Sequence, residues 1–308
     1  MIDIVAIGEP MIEFNQTVQG EPTYLQGFGG DTSNFAIAAS RQGARSAYVT
    51  RLGDDAFGRL FLDLWRAERV DVSGVGIDRD AFTGAYFVTH DARGHQFAFL
   101  RSGSASSRMR PDDLPLELIR GARFLHVTGI SQGISASACD TVFAAIAAAR
   151  EADVKVSFDS NLRLRLWPLA RARAVIGATI GLSDYFFPSL EDAQALSDRT
   201  EPDAIVDWCY ANGARAVLLK LGKDGVLVCA GRGGERVRVP GFVVDAVDAT
   251  GAGDCFAGAL VARLVAGDDL IQAARYANAA AALTTTGFGA VAPIPRPDAV
   301  RALLATAA

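Results

Sequence analysis

The segment Asp248-Ala-Thr-Gly-Ala-Gly-Asp254 runs directly into an apolar helix pattern, Cys255-Phe-Ala-Gly-Ala-Leu260. Gly251, Ala252 and Gly253 are small enough to let backbone N–H groups converge on one point. That point is also the positive end of a helix, so the segment reads as an anion site. Asp254, in the first helical turn, stands beside the anion. A carboxylate there is placed to take a proton from a hydroxyl attacking a phosphorus. The same seven residues also fit a glycine-rich turn before an ordinary helix start. A second segment, Gly29-Gly30-Asp31-Thr-Ser-Asn34, sets Asp31 and Asn34 near a helix start, after two glycines that let a ligand approach the backbone. These two side chains suit hydrogen bonds to neutral polyol hydroxyls, or a plain N-cap turn. A third, Lys220-Leu-Gly222-Lys-Asp-Gly225, lies between two strand patterns. It either wraps the phosphates of a nucleotide or makes a simple hairpin turn.

These segments need a scaffold. Residues 2–8 read as a buried strand ending at a glycine, and 12–30 as turn-rich and strand-like. A helix begins at Asp31 behind capping residues and is carried by Phe35, Ile37, Ala38 and Ala39. A strand at 47–52 and an amphipathic helix at 56–68 follow. Residues 84–90 and 95–101 flank Asp91-Ala-Arg-Gly94 as a β-hairpin, with no helix between its strands. From 123 onward the pattern alternates. Strands fall at 124–128, 155–159, 185–188 and 216–221, and helices at 135–150, 168–180, 190–196 and 202–212. Such alternation means a parallel sheet covered on both faces. Strands at 225–230 and 235–239 make an antiparallel edge, and helices at 252–266 and 268–284 close the fold. The expectation is one α/β domain over 1–308: a doubly wound, mostly parallel sheet with helices on both faces and a small β outgrowth from 13–28 and 84–101.

Composition removes several classes. The chain has 308 residues, half of them hydrophobic, which suffices for a full core. Its net charge of −5 excludes a whole-molecule attraction to nucleic acid. The start carries Asp3 and Glu9 and no basic run, so it is not a signal peptide. The longest uncharged stretch, 276–295, holds prolines, glycines and threonines and is not a membrane span. A cytoplasmic protein is expected. Cys139, Cys209, Cys229 and Cys255 form no CxxC pair, and no histidine stands at ligand spacing, which argues against zinc and disulfides. His90, His95 and His126 fit strand positions. There is no GxxxxGK[ST], no GxSxG and no dinucleotide fingerprint after the first strand. Only Lys155, Lys220 and Lys223 are lysines, so two of three fall together near 220.

Two patterns about 200 residues apart then combine: Gly29-Gly30, Asn34-Phe-Ala36, Gly43 and Gly53; and Asp248, Gly251-Ala-Gly-Asp254, Gly258-Ala259. Together the chain resembles the ribokinase-like (PfkB) family of carbohydrate kinases over nearly its whole length, with Ala249 a mild departure. The resemblance implies ATP-dependent phosphorylation of a sugar hydroxyl. Asp254 would be the base, the N–H groups of 251–253 would hold the γ-phosphate, and Mg²⁺ would bridge ATP phosphates. It makes the β outgrowth a lid over the sugar and the contact of a homo-oligomer. It maps the magnesium-organising motif onto Ser189-Leu-Glu191-Asp192 and places Asn161, Ser189, Lys220, Gly222 and Gly225 with the nucleotide. Asn278 maps near the adenine, and Asp248 onto a ligand of a monovalent cation such as K⁺. Gly8-Glu-Pro-Met-Ile-Glu13, Phe97-Ala-Phe-Leu-Arg101 and Phe158-Asp-Ser-Asn161-Leu-Arg163 are similar to 2-keto-3-deoxygluconate kinases. Gly30, Asp31, Asn34, Tyr86, Phe99, Arg101 and Arg163 would then contact the substrate, the arginines serving its carboxylate or an ATP phosphate. Phe99 and Leu162 stand where that subgroup has tyrosines. A fructokinase or other neutral-sugar kinase is the alternative. A dinucleotide-dependent oxidoreductase and a non-catalytic sugar-binding regulator fit the residues less well.

Overall fold

The computed structural model describes residues 1–91 and 94–306; the expected turn at Ala92-Arg93 lies outside the described residues. The first half contains β1 (Ile4–Ile7), β2 (Met11–Gln16), β3 (Tyr24–Gly29), α1 (Asp31–Arg41), β4 (Ser46–Gly53), α2 (Ala56–Ala67), β5 (Val75–Asp78), β6 (Ala85–Asp91) and β7 (Gly94–Leu100). Next come α3 (Leu116–Arg120), β8 (Phe124–Thr128), α4 (Gly129–Gly133), α5 (Ala136–Glu151), β9 (Lys155–Asp159), α6 (Leu169–Leu182), β10 (Tyr185–Phe186), α7 (Leu190–Ser197) and α8 (Pro202–Ala211). The chain finishes with β11 (Ala216–Lys220), β12 (Val226–Cys229), β13 (Arg236–Val239), α9 (Ala252–Ala266), α10 (Leu270–Thr284) and α11 (Pro297–Thr306).

Nine strands form the main sheet in the order β13-β12-β11-β10-β9-β8-β1-β4-β5. Pairing is parallel from β11 to β5, and β12 and β13 add an antiparallel edge. Central strands are buried throughout because helices cover both faces. The period of two divides the core. Ile4 and Ala6 face α1, α9 and α10, while Val5 and Ile7 face α5 and α6. α9 lies against α1 closely enough that a Cβ on Gly258 would stand 2.6 Å from the Phe35 carbonyl oxygen. A second, smaller sheet has the order β3-β2-β6-β7, with β2 and β6 parallel and β6–β7 a hairpin.

Three local readings differ from the structure. The strand expected at 185–188 is two residues long; Pro188 has no N–H to give a ladder. α1 has no side-chain cap in front. It starts at Asp31 after Gly30 at φ 110°, and Asp31 accepts the Thr32 N–H at 2.9 Å. β5 and α11 were not anticipated, although Pro297 at a helix start is a recognised signal.

Candidate active site

Parallel strands end on one edge of the sheet, where α/β folds form ligand crevices. A cleft of about 1770 Å³ opens there, between the strand ends and the second sheet. Asp159 closes β9 and Lys220 closes β11, and the Lys220 ammonium pairs with the Asp159 carboxylate. Asn161, in the left-handed region at φ 31°, donates its N–H to Asp159 at 3.2 Å and its Nδ2 to Asp31 at 3.0 Å. Asn34, one helical turn past Asp31, donates Nδ2 to Asp254 at 2.9 Å. Its Oδ1 is buried with no partner among the described residues, as an atom facing a ligand hydroxyl would be. These bonds join residues from four distant chain segments at one point.

Gly251 precedes α9 with φ 76°, so the turn needs glycine, and Gly253 lies beside the Lys220 ammonium. Asp248 ties this loop down: Oδ1 accepts from Thr250 N at 2.9 Å, and Oδ2 from Gly289 N at 2.9 Å. Nearby, Ser189 caps α7 through Asp192 N. Asp192 accepts from Ser160 Oγ and Leu162 N, each at 2.9 Å. Ser189, Glu191, Asp192 and Gly222 all line the cleft.

The second sheet supplies the opposite wall. Tyr86 gives its hydroxyl to Glu13, and Gly29 leaves room for that ring, since a Cβ there would fall 2.6 Å from the phenol oxygen. Arg101 donates Nε and Nη2 to the fully buried carboxylate of Glu9, whose other oxygen accepts from Ser104 at 3.0 Å. The guanidinium lies 5.3 Å from the Phe99 ring centroid. Arg163 lines the cleft, and Nη1 reaches only the Leu162 carbonyl at 2.9 Å; among the described residues it has no carboxylate partner.

Burial sets the electrostatics. It raises the carboxyl pKa of Asp31, Asp159, Asp192, Glu9 and Glu13 above the ordinary range, against the opposing pull of Arg101 on Glu9 and Lys220 on Asp159. Asp254 is pushed up to about 8, first by burial and then by the charge of Asp31, while Asn34 and Lys220 pull it down. Among the described residues no group of three or more His, Cys, Asp or Glu side chains is arranged to hold a metal ion.

Most of the anticipated residues therefore meet in the cleft: Gly30, Asp31, Asn34, Tyr86, Phe99, Arg101, Asn161, Arg163, Ser189, Asp192, Lys220, Gly222, Asp248, Gly251, Gly253 and Asp254. Ala252, Gly225 and Asn278 do not line it. Asn278 is turned inward, where Nδ2 donates to the Val239 and Pro240 carbonyls at 3.0 Å each. Glu9, Glu13 and Asp159 line the cleft without having been singled out. Glu9 lies just beyond β1 and Asp159 ends β9, while Glu13 sits inside β2, opposite Tyr86 in the parallel β2–β6 pair.

A glycine loop, a helix-start aspartate and a cleft carrying charged side chains at the carboxyl edge of an α/β sheet are the parts of a small-molecule phosphotransferase. The chain belongs to the pfkB family of carbohydrate kinases, whose sequence model matches residues 1–297; it is a sugar kinase. It is 36% identical to fructokinase-1 of Zea mays, over 95% of this chain and 94% of that protein. It is also 36% identical to 2-dehydro-3-deoxygluconokinase of Thermoproteus tenax, over 99% of this chain and 94% of that one. The fructokinase of Vibrio cholerae O395, solved with fructose, ADP and calcium, superposes with a TM-score of 0.89 at 30% identity, covering 98% of this chain and 99% of that one. No helix among the described residues is long and apolar enough to cross a membrane.

Proposed function

We propose that the protein transfers the γ-phosphate of ATP to a hydroxyl of a sugar acid of the 2-keto-3-deoxygluconate type. One observation carries the choice of substrate. Arg101 and Lys220 are neutralised by buried carboxylates, whereas Arg163 faces the cleft with no carboxylate partner among the described residues. A guanidinium with no salt-bridge partner, its charge felt by Asp31 only at a distance, can hold the carboxylate of a sugar acid through two parallel hydrogen bonds. The Thermoproteus relative is named for such a substrate. A neutral sugar is the second reading. Arg101 is already paired with Glu9, Phe99 and Leu162 bring no hydroxyl, and the maize relative is a fructokinase.

In this mechanism Asp31 and the unpartnered Oδ1 of Asn34 hold sugar hydroxyls, while Asn34 Nδ2 aims Asp254. Asp254, once ionised, accepts the proton of the attacking hydroxyl, and burial, which pushes it up to about 8, makes that carboxylate a stronger base than an ordinary one. The Gly251 and Gly253 N–H groups would face the transferred phosphoryl oxygens, the Ala252 N–H being taken by the Ala249 carbonyl at 3.2 Å, and the Lys220–Asp159 pair stands beside Gly253. Asn161, Ser189 and Gly222 border the path of the triphosphate. Glu191 and Asp192, which line the cleft beside Ser189, would hold a magnesium ion arriving with the nucleotide, and the ion would supply positive charge to the phosphates during transfer. The sheet β3-β2-β6-β7 acts as a lid that excludes water. The same sheet would also carry the contact between two copies, with exposed Leu100 on the strand face opposite the cleft-lining Phe97 and Phe99.

The test is coupled ADP release with 2-keto-3-deoxygluconate and with fructose. The acid is expected to turn over faster. Arg163→Ala is expected to raise its KM at least 30-fold and that of fructose less than threefold. Faster turnover on fructose overturns the substrate assignment and leaves the kinase chemistry in place.

A further inference from the structure

α1 borders the cleft at its first turn, through Asp31 and Asn34, and again at its far end, where its last residue, Arg41, stands near the anion loop. The Arg41 side chain is largely buried. Nε and Nη2 form a fork on Glu68 at 2.9 and 2.8 Å, which fixes the guanidinium plane. Nη1 then points at a stretch without helix or strand. It is shared among the carbonyl oxygens of Val291 at 3.0 Å, Ala292 at 3.4 Å and Ile294 at 2.5 Å. The next residue, Gln42, repeats the grip: Nε2 donates to Pro295 O at 2.7 Å, and Oε1 accepts from Tyr276 at 2.7 Å.

The gripped stretch is the floor of the anion loop. A Cβ on Gly251 would meet Ala290 O at 2.9 Å and Ala290 Cα at 3.1 Å, so the loop rests on Ala290. Gly289 N bonds Asp248, and Thr285 O accepts from Val247 N and Asp248 N at 2.7 and 3.1 Å. A segment without regular structure has little else to satisfy its carbonyls, so its position depends on side chains such as Arg41. We propose that Arg41 is a positioning residue for phosphoryl transfer. By holding residues 291–294 it sets Ala290 and Gly289, and through them the place of the 248–253 loop relative to the hydroxyl that Asp31 and Asn34 hold. Misplacing such a loop by about 1 Å is enough to cost on the order of 100-fold in rate.

The inference rests on the kinase reading above, and its test separates the two. Arg41→Ala is expected to lower kcat at least 30-fold and leave the sugar KM within threefold, because Asp31 and Asn34 lie at the other end of the helix. Millimolar guanidinium chloride is expected to restore kcat at least fivefold in that variant and not in wild type. Arg41→Lys, which can reach Glu68 or the carbonyls but not both, is expected to be intermediate, and it serves if the alanine variant does not fold. Hydrogen exchange gives a readout independent of turnover: amides 249–253 and 287–292 should exchange at least tenfold faster in Arg41→Lys, with 31–37 unchanged. A folded variant with kcat within threefold of wild type and unaltered exchange at 249–253 overturns the proposal. So does an equal rise of exchange at 31–37, which marks general loosening. Wild-type protein that releases no ADP with any sugar removes the kinase reading instead, and the exchange experiment still decides the role of Arg41.

Discussion

Asp254→Asn is expected to destroy activity and at the same time stabilise the protein. The carboxyl is pushed up to about 8 by burial and by Asp31, from an ordinary 3.8. The folded chain therefore holds a proton there that the unfolded chain releases as pH rises above about 4. A group with a raised acid pKa costs stability progressively from its unfolded pKa up to its folded one, at roughly 1.4 kcal/mol per pH unit. At pH 7 that is a ceiling of about 4 kcal/mol; water in the open cleft and sharing with Asp31 bring it to about 2 kcal/mol. Asparagine does not ionise, and its Oδ1 can still accept from Asn34 Nδ2. For a chain of this size about 2 kcal/mol corresponds to roughly 3 °C. Thermal melts of both proteins, without ligands and from pH 5 to 9, should show a gap in favour of Asp254→Asn that widens to pH 8 and then flattens. Coupled ADP release should fall about 10²–10⁴-fold, the usual contribution of a positioned base. A gap that does not grow with pH, or a wild type that is the more stable at pH 8, refutes the reasoning about burial. Turnover within tenfold of wild type removes Asp254 as the base.

Gly251→Ala is expected to lower kcat more than tenfold with sugar binding retained by calorimetry, because the new Cβ clashes with Ala290 O in a backbone at φ 76°. Arg101→Ala strips the partner from the buried Glu9 carboxylate, so it is expected to cost about 3–5 kcal/mol in urea titration; adding Glu9→Gln should recover much of that loss. Gly29→Ala pushes on the Tyr86 phenol and is expected to raise the sugar KM, with the far-UV circular dichroism spectrum unchanged.

The fold was largely legible because its signals are local and periodic. Buried strands such as Ile4–Ile7 and Ala216–Lys220 stand out as apolar runs, and the helices between them are punctuated by turns. Boundaries shifted where chemistry is not periodic, as at Pro188. In the site, Asp254 and the 251–253 loop announced themselves through glycine spacing. Glu9 and Asp159 did not, because an acid at a strand end has no pattern until the strand ends are known to converge, and Glu13 meets Tyr86 only once β2 pairs with β6. Charge pairing was equally invisible. The sequence showed Arg101 and Arg163 as two similar arginines, and only tertiary structure gives one of them Glu9 and leaves the other without a carboxylate. Asn278 illustrates the converse, a matching residue whose amide holds the Val239–Pro240 backbone.

The close approach of α9 to α1 has a consequence for how the molecule forms. The groove that receives Gly258 is built by Phe35 and Ala38, more than two hundred positions earlier. Helices α9 and α10 complete the core around Ile4, Ala6 and Tyr48. During synthesis, the amino-terminal strands emerge long before the helices that cover one of their faces. That half of the sheet must wait with its apolar side open, a high-contact-order arrangement that folds slowly and is exposed to aggregation. Folding is thus expected to end in one late cooperative step, after α9 and α10 have emerged. A nascent chain stopped before residue 252 should be captured by chaperones that bind apolar surface.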